Sequence, residues 1–137
     1  MALINEFKGD MEFLAKTESG HELIMDAGEI SGGHDNGVRP KELLLVGLSG
    51  CTGMDVVSIL KKMKVEDYTL RIEVENEKTE EHPVIYKTIH LKYIFHLEDD
   101  SKKDKVEKAV NLSQERYCGV SAMLKKASEI SYEIIYE

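Results

Sequence analysis

Residues 43–60, LLLVGLSGCTGMDVVSIL, are the stretch on which the reading of this 137-residue chain turns. Apolar residues and glycines fill nearly every position until Asp55. That pattern is not the one-sided stripe of a surface helix; a helix apolar all round is buried all round. Pro40 suits the first turn of a helix and Glu42 complements its dipole, so the spacing predicts a helix from about Pro40 to about Met63. Asp55 inside the run, Lys61 and Lys62 at its end and the three glycines argue for a core or interface helix, not a membrane span. In a domain of this size a sheet covers one face only. The other face needs a second helix, and the same helix from a second copy supplies one. Gly47, Gly50 and Gly53 weaken the helix by about 1 kcal/mol each, a loss that makes sense where small residues let backbones approach closely. A homodimer through this helix is therefore expected.

Upstream, "ALINEF", "MEFLAKT" and "HELIMD" read as a strand meander broken by the turn signals "KGD" and "ESG". The segment "AGEISGGHDNGV" reads as a loop, with no phosphate-binding pattern in it. Downstream, "YTLRIEVENEK" alternates, with Leu70, Ile72 and Val74 on one face. "HPVIYKTIHLKYIFHLED" gives the next strand, with Ile85, Lys87, Ile89, Leu91, Tyr93 and Phe95 on one side, the two forming a hairpin around "NEKTEEHP". Asp100 or Ser101 caps a helix carrying Val106, Ala109 and Val110. The helical periodicity falters over Leu112–Tyr117, "CGVSAMLKKA" reads as a second short helix, and "ISYEIIYE" closes the chain as a strand. The order βββ-α-ββ-αα-β is an α+β plan with a mostly antiparallel sheet and a long buried central helix. No linker or repeat divides it, so a single domain over residues 1–137 is expected.

Composition narrows the function. The net charge of −8 and pI near 5.2 disfavour phosphate backbones and anionic membranes, so neither nucleic acid nor membrane is an expected partner. The opening "MALINEFKGD" has no basic stretch followed by an apolar one, which points to the cytoplasm, where structural disulfides are rare. The two cysteines, Cys51 and Cys118, stand 67 positions apart, so they form neither a CxxC redox motif nor half of a zinc knuckle. His21, His34, His82, His90 and His96 show no HxxxH or HxxH spacing. A metal could be held only by residues converging from distant parts of the chain, and neither metal nor cofactor is expected.

Cys51 itself reads in two ways. It packs as a small hydrophobe in a buried helix, or it is a reactive thiol. The second reading draws on Asp55, one turn further along the same face, and on the existence of Cys118. A reactive thiol needs a lowered pKa. Cys51 lies too deep in the helix for the helix's own N-terminus to help, and a charged Asp55 would push the thiol the wrong way.

"RPKELLLVGLSGCTGMDVVSILKK" and, far downstream, "LSQERYCGVSAMLKKASEISYEIIYE" resemble the osmotically inducible protein C and organic hydroperoxide resistance family. The likeness rests on a Pro-x-Glu-Leu helix start, a Gly-Cys in mid-helix and a second cysteine in a Tyr-Cys-x-Val-Ser context. It implies a small α+β fold forming an intertwined homodimer with active sites at the interface. It implies further that Cys51 is the peroxidatic cysteine, attacking a hydroperoxide as thiolate, and that Cys118 is the resolving one, with a dithiol reductant of lipoyl type restoring both. Glu42 completes the implied catalytic set. It stands one position later than the family's glutamate, whose place after Pro40 is taken by Lys41. The family's activating arginine has no counterpart in residues 1–38, and Arg39 and Arg116 are the substitutes considered. The chain resembles most a subgroup without that arginine. The implied function is thiol-dependent reduction of organic hydroperoxides in oxidative stress. The alternative is a non-catalytic binding module that holds an apolar small molecule at the dimer interface, and a third reading is a structural dimer without turnover.

Overall fold

The computed structural model describes residues 2–137 and shows an α+β chain of two compact units, Met1–Val46 and Gly47–Glu137. The first unit is the expected meander. Strands β1 (Ile4–Gly9), β2 (Glu12–Lys16) and β3 (Glu22–Met25) pair antiparallel in the order β1-β2-β3. The loop that follows is organised by Asp26, whose buried carboxylate accepts the amides of Ala27 (2.8 Å), His34 (3.1 Å) and Asn36 (3.1 Å). These three bonds, led by that of Asn36, hold the Asp26 carboxyl below the usual carboxylate range. Two glycines permit the tight path of this loop. A Cβ on Gly33 would stand 2.1 Å from the Ala27 carbonyl oxygen, and one on Gly37 would stand 2.3 Å from that of Ile24.

Helix α1 (Glu42–Lys62) begins at the end of the first unit and continues through the start of the second. Its entry is the expected proline turn, with Leu43 donating to the Pro40 carbonyl at 3.2 Å. The Glu42 carboxylate reaches back to accept the Arg39 amide at 3.1 Å, as in the reciprocal half of a capping box.

In the second unit, β4 (Tyr68–Lys78) and β5 (Tyr86–Leu97) form the expected antiparallel hairpin, and β6 (Glu129–Tyr136) joins the other side of β5 in parallel. The parallel pairing follows from the connection, because the chain returns through α2 (Lys103–Leu112) and α3 (Gly119–Leu124) and a helical crossover sets strands parallel. The sheet's outer face carries ion pairs such as Arg71–Glu137 and Lys92–Glu75. Its inner face buries Ile89, Leu91, Tyr93 and Phe95, together with Val106, Ala109 and Val110 of α2. One expectation on β5 needs correction: Ile85 and Lys87 do not share that inner face. Glu77 pairs with Thr88 but Lys78 pairs with Tyr86, so a bulge takes up Lys87 and shifts the alternation by one residue. Tyr86 is buried in their stead, while Lys87 and Ile85 are exposed.

By length and composition α1 could cross a membrane, with a mean hydropathy of 1.9. Only one face of it is packed, with 22% of its apolar stretch buried, so the helix is not buried all round within one chain. Leu48, Thr52, Val56 and Leu60, spaced by four, form a fully buried stripe. Burial of each aliphatic member contributes roughly 1.5–3 kcal/mol. At Gly53 the helix approaches β4 so closely that a Cβ would stand 3.2 Å from Ile72 Cδ1. The opposite face stays uncovered, leaving Met54 77% and Val57 45% exposed. Around Gly47 and Gly50 there is open space.

Candidate functional site

The two cysteines, 67 positions apart in the sequence, come together in the second unit. The sulfurs of Cys51 and Cys118 and a carboxylate oxygen of Asp55 all lie within 4.8 Å of one another. Cys51 and Asp55 are one turn apart on α1, hence on the same face. Cys118 is delivered by an irregularity. After α2 the chain widens into a π-helical turn, Ser113–Tyr117, closed by the Cys118 amide on the Ser113 carbonyl at 2.8 Å. Such turns recur at functional sites because they re-aim the side chains that follow. Here the turn leaves Cys118 extended at the start of α3, where its sulfur accepts the Ser121 amide at 3.4 Å. Both thiols are free.

The two cysteines differ in environment. Cys51 is half-buried and Cys118 is buried. Desolvation pushes the Cys118 thiol up to about 11, and the neighbouring Cys51 and Asp55 add to the rise against the opposing Ser121 amide. At neutral pH Cys118 is therefore a thiol.

Behind the cluster lies a buried hydrogen-bond network that the sequence reading did not anticipate. Thr52 Oγ1 lies 2.6 Å from the Tyr93 hydroxyl and 2.7 Å from Ser113 Oγ. Gln114 Nε2 donates to the Tyr93 hydroxyl at 2.7 Å, and Ser121 Oγ donates to Gln114 Oε1 at 2.8 Å. Ser113 Oγ donates to Asp55 Oδ2 at 2.9 Å. The network thus joins the residue that holds the Cys118 sulfur, Ser121, to the residue that holds the Asp55 carboxylate, Ser113. Among hydrophobic neighbours, fully satisfied polar groups of this kind fix a single arrangement. Thr52 is the one hydroxyl on the buried stripe Leu48, Thr52, Val56, Leu60.

The Glu42 carboxylate caps the start of α1. The three arginines have partners of other kinds. Arg39 pairs with Asp35 at 2.8 Å, Arg71 pairs with Glu73 and Glu137, and the exposed Arg116 lies over the Tyr117 ring.

Comparison with known proteins agrees with this architecture. Protein YhfA of Escherichia coli K12 is 38% identical over 127 residues, which are 91% of each chain. A hypothetical protein from Aquifex aeolicus VF5 superposes with a TM-score of 0.78 at 36% identity, covering 98% of this chain and 96% of that one. An organic hydroperoxide resistance protein OsmC from Legionella pneumophila shares the fold at 18% identity, with a TM-score of 0.66 and coverage of 98% and 97%. Residues 33–133, which include both cysteines, match the OsmC-like protein family, and with YhfA related along nearly its whole length the chain belongs to that family.

Proposed function

We propose that the protein is a thiol-dependent hydroperoxide reductase in which Cys51 reacts with peroxide and Cys118 resolves the product. The observation that carries this reading is the pairing of a half-buried thiol with a buried one within 4.8 Å. The accessible Cys51 attacks the distal oxygen of ROOH as thiolate. The O–O bond breaks, ROH leaves with a proton, and Cys51 becomes a sulfenic acid. Cys118 then attacks the Cys51 sulfur, its thiol proton leaves with the sulfenic hydroxyl as water, and a disulfide forms. A dithiol reductant returns both sulfurs to thiols and is itself oxidised to a disulfide. The kinship with proteins described as organic hydroperoxide resistance proteins supports an organic peroxide as substrate, and a lipoyl-type dithiol suits the reduction. Glu42 acts at one remove, as a positioning residue that fixes the start of the helix bearing Cys51.

The working form in this reading is a cytoplasmic homodimer. The uncovered face of α1 supports it. Gly50, Gly53, Met54 and Val57 line an open apolar groove there, and Gly47 and Gly50 stand in open space. The first unit's sheet also leaves Ile4, Phe7 and Phe13 exposed, as strands that pair with a second copy would.

Steady-state consumption of an organic hydroperoxide with a dithiol reductant tests the reading. Turnover is expected in the wild type, with loss in Cys51→Ser and stalling after one equivalent in Cys118→Ser. Equal peroxide consumption by wild type and Cys51→Ser would overturn it.

A further inference from the structure

We propose that Cys51, Asp55 and Cys118 also form a binding site for a thiophilic divalent cation of the zinc class. The argument is geometric and stands whether or not the thiols reduce peroxide. Zinc takes sulfur at about 2.3 Å and carboxylate oxygen at about 2.0–2.2 Å in a tetrahedral shell. On such a shell two sulfurs stand about 3.8 Å apart and a sulfur and an oxygen about 3.6 Å apart, so ligand atoms already within 4.8 Å of one another need to close by about 1.2 Å at most. Two of the three ligands sit one turn apart on α1, the spacing by which a helix presents a pair of ligands on one face. The third comes from the turn before α3, so the site is convergent, which is why no spacing in the sequence announced it.

The surroundings have the features of a built site. Ser113 Oγ donates to Asp55 Oδ2, which orients the carboxylate and leaves its other oxygen for a metal, and Ser113 is itself held by Thr52. The Ser121 amide fixes the Cys118 sulfur. Two thiolates and one carboxylate favour zinc over magnesium or calcium, which take oxygen donors. Three ligands with Cys51 and Asp55 only half-buried leave a fourth position open to water or to a small thiol. On coordination each thiol gives its proton to the buffer. A disulfide consumes both sulfur donors, so metal occupancy and the oxidised state exclude each other. The cation would protect the thiols from oxidation and at the same time withhold them from any substrate.

The test uses the reduced full-length protein without oxygen, titrated with Co²⁺ as a spectroscopic probe and then with Zn²⁺ alone by calorimetry. One equivalent per chain is expected, with tetrahedral Co²⁺ bands and sulfur-to-cobalt charge transfer. Cys51→Ser, Cys118→Ser and Asp55→Asn should each weaken Zn²⁺ binding at least tenfold. His34→Ala and His90→Ala, which remove the exposed pairs His34–Asp10 and His90–Glu133, should leave it unchanged. In the unaltered chain one equivalent of Zn²⁺ should slow alkylation of both cysteines, a readout independent of how the variants fold. Absence of charge-transfer bands, or Zn²⁺ binding that survives removal of both thiols and vanishes with His34 or His90, would overturn the proposal.

Discussion

Replacing Thr52 with valine removes the hub of the buried network while keeping its shape. Thr52 is fully buried, and its hydroxyl lies 2.6 Å from the Tyr93 hydroxyl, 2.7 Å from Ser113 Oγ and 3.3 Å from Gln114 Nε2. The third contact is too long to count fully. Because Ser113 donates to Asp55, Thr52 donates to Ser113 and accepts from the Tyr93 hydroxyl, so valine leaves the buried Tyr93 proton without an acceptor. Tyr93 and Gln114 keep each other at 2.7 Å, and Ser113 keeps Asp55 at 2.9 Å. The loss is therefore two buried hydrogen bonds at about 1 kcal/mol each, or roughly 2 kcal/mol, to which the stranded Tyr93 proton adds about 1–3 kcal/mol. Thr52→Ser is the matched control. It keeps the hydroxyl, gives up one buried methyl, and should be destabilised by about 1 kcal/mol. Urea unfolding followed by far-ultraviolet circular dichroism, at one fixed protein concentration, reads both differences as shifts in midpoint. A valine variant within 0.5 kcal/mol of wild type, or one more stable than the serine variant, would refute the assignment of Thr52 as a structural hub.

Gly50 stands in open space within the chain, so Gly50→Ala should stabilise the isolated helix by up to about 1 kcal/mol yet weaken self-association, as read by sedimentation over a dilution series. The Asp26 carboxyl is held below its ordinary value of 3.8, so its support of the loop is fully present above pH 3.8 and is lost as the pH falls through the lowered value. Asp26→Asn should therefore speed amide exchange at Ala27, His34 and Asn36 near neutral pH, with the difference from wild type shrinking in acid. Cys118, pushed up to about 11, should resist alkylation in the native state from pH 7 to 9 while Cys51 reacts faster, with mass spectrometry of each peptide giving the two rates.

Much of the fold is written in local patterns. The alternation of Leu70, Ile72 and Val74 and the spacing of Val106, Ala109 and Val110 correspond directly to the strand and helix that carry them. The faltering of periodicity after Leu112 marked the π-helical turn without revealing its geometry. The face of Lys87 was misread because a bulge depends on its partner strand, which a single strand's alternation does not show. The site was legible as two cysteines in familiar contexts and as Asp55 one turn beyond Cys51 on the same helix face. The approach of Cys118 to that pair, and the hydroxyls of Ser113 and Ser121 behind it, depend on where α2 and the π-helical turn deliver the chain, which no spacing between residues 51 and 118 encodes. Glu42 entered the catalytic set by resemblance, and its position three residues after Arg39 is also the signature of a helix start.

The central claim is that Cys51 and Cys118 form one redox pair. Peptide mapping by mass spectrometry, after one equivalent of organic hydroperoxide is added to the reduced protein, tests it most directly. The account predicts a Cys51–Cys118 cross-linked peptide lighter by two hydrogens than the separate thiols, and in Cys118→Ser a sulfenic acid on Cys51. Both thiols intact beside unchanged peroxide would contradict it.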